Sequence, residues 1–161
     1  MDMYSHVNTC VLGREFHKLY HWNHPVNVSG CNPENGERLC QKIAVTVAYD
    51  NPQSGKFCIF IFHHFIRVNH LNHHMLCTMQ CLINGIEVNE TPKFLLRQPT
   101  DKSRAIVVYD PDRETPMVVP LSINGITSYF PYRKLTRSEF EDVDVPRIYS
   151  TVKAPAWGPS D

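Results

Sequence analysis

Histidine and cysteine side chains are concentrated in one segment, which runs from His63 to Cys81. Imidazole nitrogen and thiolate sulfur are the ligands that Zn²⁺ prefers, so the segment is a candidate metal site. It contains no Cys-x-x-Cys pair, and His63 and His64 adjoin an apolar stretch, which favours histidines that flank a strand. We therefore predict that no cofactor is bound. The alternative is a zinc-binding or protein-interaction module, with these metal ligands: His70, His73, His74, Cys77 and Cys81.

A second group of reactive side chains lies near the amino terminus, in the segment Tyr4-Ser5-His6-Val7-Asn8-Thr9-Cys10. Cys10 and His6 are the residue types of a nucleophile and its base. No residue that would orient the base or bind an oxyanion is identifiable near them, so we predict a packed thiol at Cys10. The chain has six cysteines. Several lie in apolar stretches, and we expect reduced thiols.

Alternating apolar residues predict the strands that position these side chains. The strongest alternation covers residues 43–49 and predicts a strand with one buried face. The turn-forming segment 50–55 then predicts a hairpin that leads into an apolar central strand at 57–62. Further strands are predicted at 105–109, 117–121 and 126–130.

Helix signals are short by comparison. Residues 14–20 are predicted to form two helical turns. Thr136 and Glu139 have capping-box spacing ahead of a second helix that ends near Val143. The chain should therefore be mainly β, with an extended tail at 154–159.

Charge and hydropathy exclude several classes of function. Sixteen basic residues balance sixteen acidic ones without a long run of either sign, so nucleic acid is not an expected partner. The longest apolar run is far shorter than the ~20 residues that cross a bilayer, and we expect no membrane partner. The amino terminus lacks the pattern of a secretory signal, and a cytoplasmic location is expected.

Two motifs together resemble a known family. Residues 4–13 resemble the active-site loop of retroelement aspartic proteases, which reads Asp, Thr or Ser, Gly, Ala, Asp, Thr and then apolar residues. Residues 70–80 resemble the stretch in copia-type elements that reads Leu, two variable residues, Asn, Leu, Leu, Ser, Val, Ser, Gln. Residues 30–36 lie in the place of the protease flap, and residues 125–131 resemble the segment after the protease in copia-like polyproteins. The chain thus resembles a degenerate protease domain of a copia-type retrotransposon Pol polyprotein.

The resemblance implies a retropepsin-like closed β barrel with short helices over residues 1–96. A small β-rich extension and a linker would occupy residues 97–161. It also implies a homodimer in which each chain supplies one aspartate, with peptide or polyprotein segments as substrates. The substrate-binding flap residues would be Gly30, Asn35 and Gly36.

Family catalysis requires two carboxyl groups that share a proton. In the best-fitting register Tyr4 occupies the aspartate position, and a phenol with a pKa near ~10 is a poor base for water. In a shifted register Asn8 occupies it, and an amide does not exchange the proton. We therefore predict that the polyprotein endopeptidase activity of the family is lost. No catalytic residue is intact in the loop Tyr4, Ser5, His6, Val7, Asn8 and Thr9.

Three further sequence features leave alternatives open. Asp2 is the only acid near the loop, and a protease that uses it is a third hypothesis. Arg133, Lys134 and Arg137 form a small basic patch. A solvated face is our interpretation of this patch, and docking to a neighbouring polyprotein segment or nucleic acid is the alternative. Tyr129 and Phe130 are predicted to be core residues and not a stacking platform.

Overall fold

The computed structural model describes residues 9–10, 16–29, 37–67, 74–109, 114–125 and 127–150. Within these residues the chain is mainly β, as predicted. The strands are β1 (Thr9–Cys10), β2 (His17–His21), β3 (Val26–Ser29), β4 (Glu37–Cys40), β5 (Lys42–Asp50), β6 (Phe57–Arg67), β7 (Glu87–Asn89), β8 (Ala105–Val108), β9 (Met117–Pro120), β10 (Ser122–Asn124), β11 (Thr127–Tyr129) and β12 (Arg147–Tyr149). The helices are α1 (Thr78–Ile83), α2 (Arg137–Glu141) and a 3₁₀ turn at Lys93–Leu95.

The strands of the described ranges form four sheets, and no closed barrel is found among them. In the largest sheet β6 pairs antiparallel with β5, and β5 pairs antiparallel with β2. Both β1 and β12 pair with β6 in parallel. The antiparallel sheet β7-β8-β9 and the hairpins β3-β4 and β10-β11 complete the arrangement. No helix of the described residues is long and apolar enough to cross a bilayer.

β5 and β6 form the centre of the molecule because both of their faces are apolar. On one face Val45, Val47 and Phe60 pack against the three-stranded sheet through Ile106 and Val119. The sequence predicted a half-buried β5, but residues 43–49 are all buried. The second face is covered because Leu135 and Val145 pack on Ala48, Ile59 and Ile61.

A bulge in β6 keeps its aromatic side chains on one face. Val45 pairs with Phe62, whereas Ile43 pairs with Phe65, so the pairing shifts by one residue around His64. His64 has a φ of 62°, in the left-handed region that a bulge residue often occupies. Because of the extra residue, the side chains of Phe62 and Phe65 lie on the same face of the sheet, and both belong to the larger core cluster.

The two helix predictions had opposite outcomes. The helix predicted at 14–20 is wrong in its described part, because residues 17–20 belong to β2. Pairing with the free edge of β5 outweighs the weak local helix signal, since β2 gains a ladder of main-chain hydrogen bonds there. The predicted capping box is confirmed: Thr136 is the N-cap of α2, and its side chain and that of Glu139 bind each other's main-chain amides.

Candidate functional site

The amino-terminal motif reaches the described residues only at its end. Thr9 and Cys10 form β1, with Thr9 beside Ile66 and Cys10 beside Arg67. β1 therefore lies on the edge of β6 that faces away from β5, within the central sheet. The other residues of the predicted loop lie outside the described residues: Tyr4, Ser5, His6, Val7 and Asn8.

The predicted flap residues Gly30, Asn35 and Gly36 also lie outside the described residues. β3 and β4, on either side of them in the chain, pair antiparallel, with Ser29 opposite Glu37. The flap segment thus connects the two strands of a hairpin. The substrate-binding role of its residues stays a prediction.

His63 and His64 of the His/Cys segment contact aromatic rings. His63 is buried, and its Nδ1 lies 2.7 Å from the hydroxyl oxygen of Tyr20. The ring of His64 stacks on that of Trp22, with 4.8 Å between their centroids. Both histidines belong to β6, which the sequence predicted to end at Phe62. The strand continues past them because the bulge accommodates them.

Cys81, one of the alternative metal ligands, is buried. Burial and, after it, the neighbouring Cys77 raise the pKa of Cys81 to about 12, so its sulfur is a protonated thiol at neutral pH. No group of three His, Cys, Asp or Glu residues that could hold a metal ion occurs among the described residues, which include His74. His70 and His73 lie outside them.

Two carboxylates converge on Arg133, in an arrangement that the sequence analysis missed. The guanidinium donates to Asp50 at 2.8 and 3.0 Å, and to Glu139 at 3.0 and 2.8 Å. Arg133, followed by Thr136, lowers the pKa of Glu139 to about 2. A catalytic dyad needs a carboxyl group that exchanges its proton near the working pH. Glu139 stays ionised instead, so this cluster is a structural anchor.

The basic patch is largely neutralised by neighbouring acids. Arg133 contacts Asp50 and Glu139, and Arg137 pairs with Glu141 at 2.7 Å. These ion pairs favour the solvated-face interpretation over docking to an anionic partner. Of the two aromatic residues predicted to be core, Phe130 packs against the larger core cluster and Tyr129 is exposed.

A cleft that the sequence analysis also missed runs along β12. One cavity of about 250 Å³ lies beside β12, and a second of about 740 Å³ lies next to it. The two share Met117 and Pro146 in their walls. No local sequence signal marks this cleft, because it forms where the parallel pairing of β12 with β6 brings distant segments together.

Comparisons of the chain with protein-family models, curated proteins and solved structures found no match. The family resemblance therefore depends on the residues of the two motifs and on their order along the chain.

Proposed function

We propose that this chain is a retroelement-derived aspartic-protease-like domain that folds but does not cleave peptides. The position of β1 carries the proposal. Thr9–Cys10, the end of the active-site-loop motif, is a strand of the central sheet and pairs with residues 66 and 67 at the end of β6. A catalytic loop needs such support, because rigid neighbouring elements hold its side chains in a fixed geometry.

The order of the elements supports the same proposal. β1 is followed by β2, by the hairpin β3-β4, by the long pair β5-β6 and then by α1, which begins at Thr78 inside the second motif. This is the order of loop, flap, strands and closing segment that the resemblance implies. In this proposal the strands β1, β2, β5 and β6 of the five-stranded sheet correspond to part of a retropepsin-like barrel, and β8 to β12 belong to the extension.

The loss of activity is a consequence of the residue types in the loop. Neither the phenol of Tyr4 nor the amide of Asn8 takes a proton from water near neutral pH. A general acid or base contributes ~10²–10⁴-fold, and the loss would occur in both chains of a homodimer. Turnover should therefore fall below detection.

Peptide cleavage by the unmodified protein tests the inactivity. A mixture of unlabelled peptides is incubated with the protein at pH 4–6 and read by mass spectrometry. We expect no peptide cleavage that is inhibited by a transition-state mimic of aspartic proteases. Mimic-sensitive cleavage would show that an acid such as Asp2 has replaced the missing aspartate, and the proposal of inactivity would be wrong.

Reversion of the loop tests the protease-like scaffold. A triple variant with Tyr4→Asp, His6→Gly and Asn8→Asp should cleave peptides, and its rate should rise with the fraction of dimer in sedimentation experiments. The matched control has Tyr4→Asn with the same two other changes, and should be slower by at least about 10²-fold. A folded triple variant that neither cleaves peptides nor binds the mimic would contradict the proposed relationship.

A further inference from the structure

One edge of β12 is occupied by β6. The amide of Ile59 donates to the carbonyl of Pro146, and the amide of Ser150 donates to the carbonyl of Ile61, each at 2.9 Å. In a parallel ladder alternate residues turn their peptide groups to the neighbouring strand. The main-chain N–H and C=O groups of Ile148 therefore point to β6, and those of Arg147 and Tyr149 point away from it.

The opposite edge of β12 carries main-chain groups without a partner among the described residues. The peptide groups of Arg147 and Tyr149 point to this edge. The side-chain amide of Asn84 donates to the carbonyl of Tyr149. The amides of both strand residues and the carbonyl of Arg147 make no hydrogen bond with the described chain. Such groups are a template for a further strand.

The smaller cavity lies along this edge, since residues 146–149 all line it. Its volume is about 250 Å³, and its facing walls come from the end of α1 and from the ends of β8 and β9. Ile86, Val108 and Met117 supply apolar side chains to these walls, and the exposed rings of Tyr109 and Tyr149 also line the cavity. A further strand would lie ~4.8 Å from β12, on the side where this cavity opens.

The charged side chains of the larger cavity favour a basic ligand group. Glu114, Asp144 and Lys56 line the larger cavity, so two acids stand against one base. The guanidinium of Arg147 is directed elsewhere, because it donates to the carbonyl oxygens of Phe140 and Asp142 at 2.7 and 3.3 Å. The cleft therefore offers apolar side chains beside β12 and an excess of acidic groups farther along.

We propose that this cleft binds an extended polypeptide segment, which adds as a strand to the open edge of β12. Apolar side chains of the segment enter the smaller cavity, and a basic side chain reaches Glu114 and Asp144. The cleft lies among described residues after Asp50 and shares none with the loop motif, so it does not depend on the proposed protease ancestry. An inactive loop is compatible with a binding cleft, and failure of either proposal leaves the other intact.

A short fluorescent peptide of alternating valine and lysine is the probe. We expect its anisotropy to rise with added protein, and the amide resonances of Arg147 and Tyr149 to shift in ¹⁵N correlation spectra. The same peptide with every main-chain nitrogen methylated keeps the side chains but loses the donors, and should not bind. Equal binding of both peptides, or no binding at millimolar protein, would overturn strand addition.

Two sets of variants locate the site. Tyr149→Pro removes a main-chain N–H that points away from β6 and makes no hydrogen bond with it. Tyr149→Ala keeps this N–H, so the proline variant should bind the probe about tenfold more weakly than the alanine variant. Glu114→Gln with Asp144→Asn should weaken the lysine probe but not a probe with glutamine in place of lysine. Equal affinities within each comparison would sink the proposal. If Tyr149→Pro does not fold, the amide resonances of Arg147 and Tyr149 in the unmodified protein test the proposal: strand addition requires that they shift when the probe binds.

Discussion

His64 adopts a backbone conformation that costs an L-residue free energy. Its φ of 62° lies in the left-handed region, where a Cβ atom adds roughly 1–2 kcal/mol. We predict that His64→Gly is more stable than His64→Ala by about 0.5–1 kcal/mol, after allowance for the extra chain entropy that glycine loses on folding. Urea unfolding of the two variants measures this difference. Both lose the contact with Trp22, so only the backbone effect separates them.

Burial controls the reactivity of the cysteines. Cys81 is buried and its pKa is raised to about 12, whereas Cys40 is only partly buried. We predict that iodoacetamide at pH 8 alkylates Cys40 before Cys81 and leaves Cys81 unmodified until the protein unfolds. Mass spectrometry after a time course gives the order. Early modification of Cys81 in folded protein would contradict this order and would revive the case for a thiolate ligand.

At the scale of elements, α2 is attached to the central sheet through Arg133. Its guanidinium connects Asp50, at the end of β5, with Glu139 in the first turn of α2. The main chain of Arg133 also exchanges two hydrogen bonds with Ala48, each at 2.9 Å. This attachment holds the segment that covers the second face of the sheet.

We predict that Glu139→Gln lowers the free energy of unfolding by about 1 kcal/mol at neutral pH. Folding lowers the pKa of Glu139 from 4.5 to about 2, so the ionised form stabilises the fold above pH 4.5. This contribution is lost as the pH falls from 4.5 through 2, and the difference between the two proteins should vanish below pH 2. Urea titrations across that range measure it. Glu141→Gln is the control, since its exposed partner Arg137 should contribute little.

Element prediction succeeded where the pattern was local. The alternation at 43–49 and the apolar run from residue 57 gave β5 and β6, and turn residues gave the hairpin between them. β6 extends five residues beyond the predicted end because a bulge admits His63 and His64. The helix at 14–20 failed because pairing with β5 is a contact distant in sequence.

The candidate site was less accessible to sequence reasoning than the fold. The motif at Tyr4 predicts a chemistry and its loss from residue types alone, and of this loop the structure describes only Thr9. The Arg133 cluster joins residues 83 positions apart, and the cleft joins α1, β8, β9 and β12. Neither has a local signature, since each depends on which strands become neighbours.

At the scale of the whole molecule, one core joins both sides of the predicted division at residues 96 and 97. The larger cluster contains Val45 and Phe60 from the central sheet, and Ile106, Val119 and Ile148 from the later part of the chain. The division stays a prediction. The shared core makes independent folding of the first part unfavourable, because truncation would expose the face that Ile106 and Val119 cover.

We predict that Ile106→Ala destabilises the entire chain by about 2–5 kcal/mol. In a Trp157→Phe background Trp22, next to β2, reports on the central sheet. Its fluorescence should therefore lose its folded signal at a lower urea concentration, together with the far-ultraviolet circular dichroism. Ile123→Ala, at an exposed position of β10, is the control and should change little. An unchanged Trp22 transition in the Ile106→Ala variant would indicate two units that unfold separately.

The parallel pairing of β12 with β6 has a consequence for synthesis on the ribosome. The strand edge of β6 at residues 59–61 pairs with residues 147–149. These main-chain groups therefore have no strand partner until almost the whole described chain has been synthesised. A premature stop codon or frameshift before Arg147 would leave the long apolar strand β6 with an unpaired edge at residues 59–61. Such truncated products should be insoluble and quickly degraded.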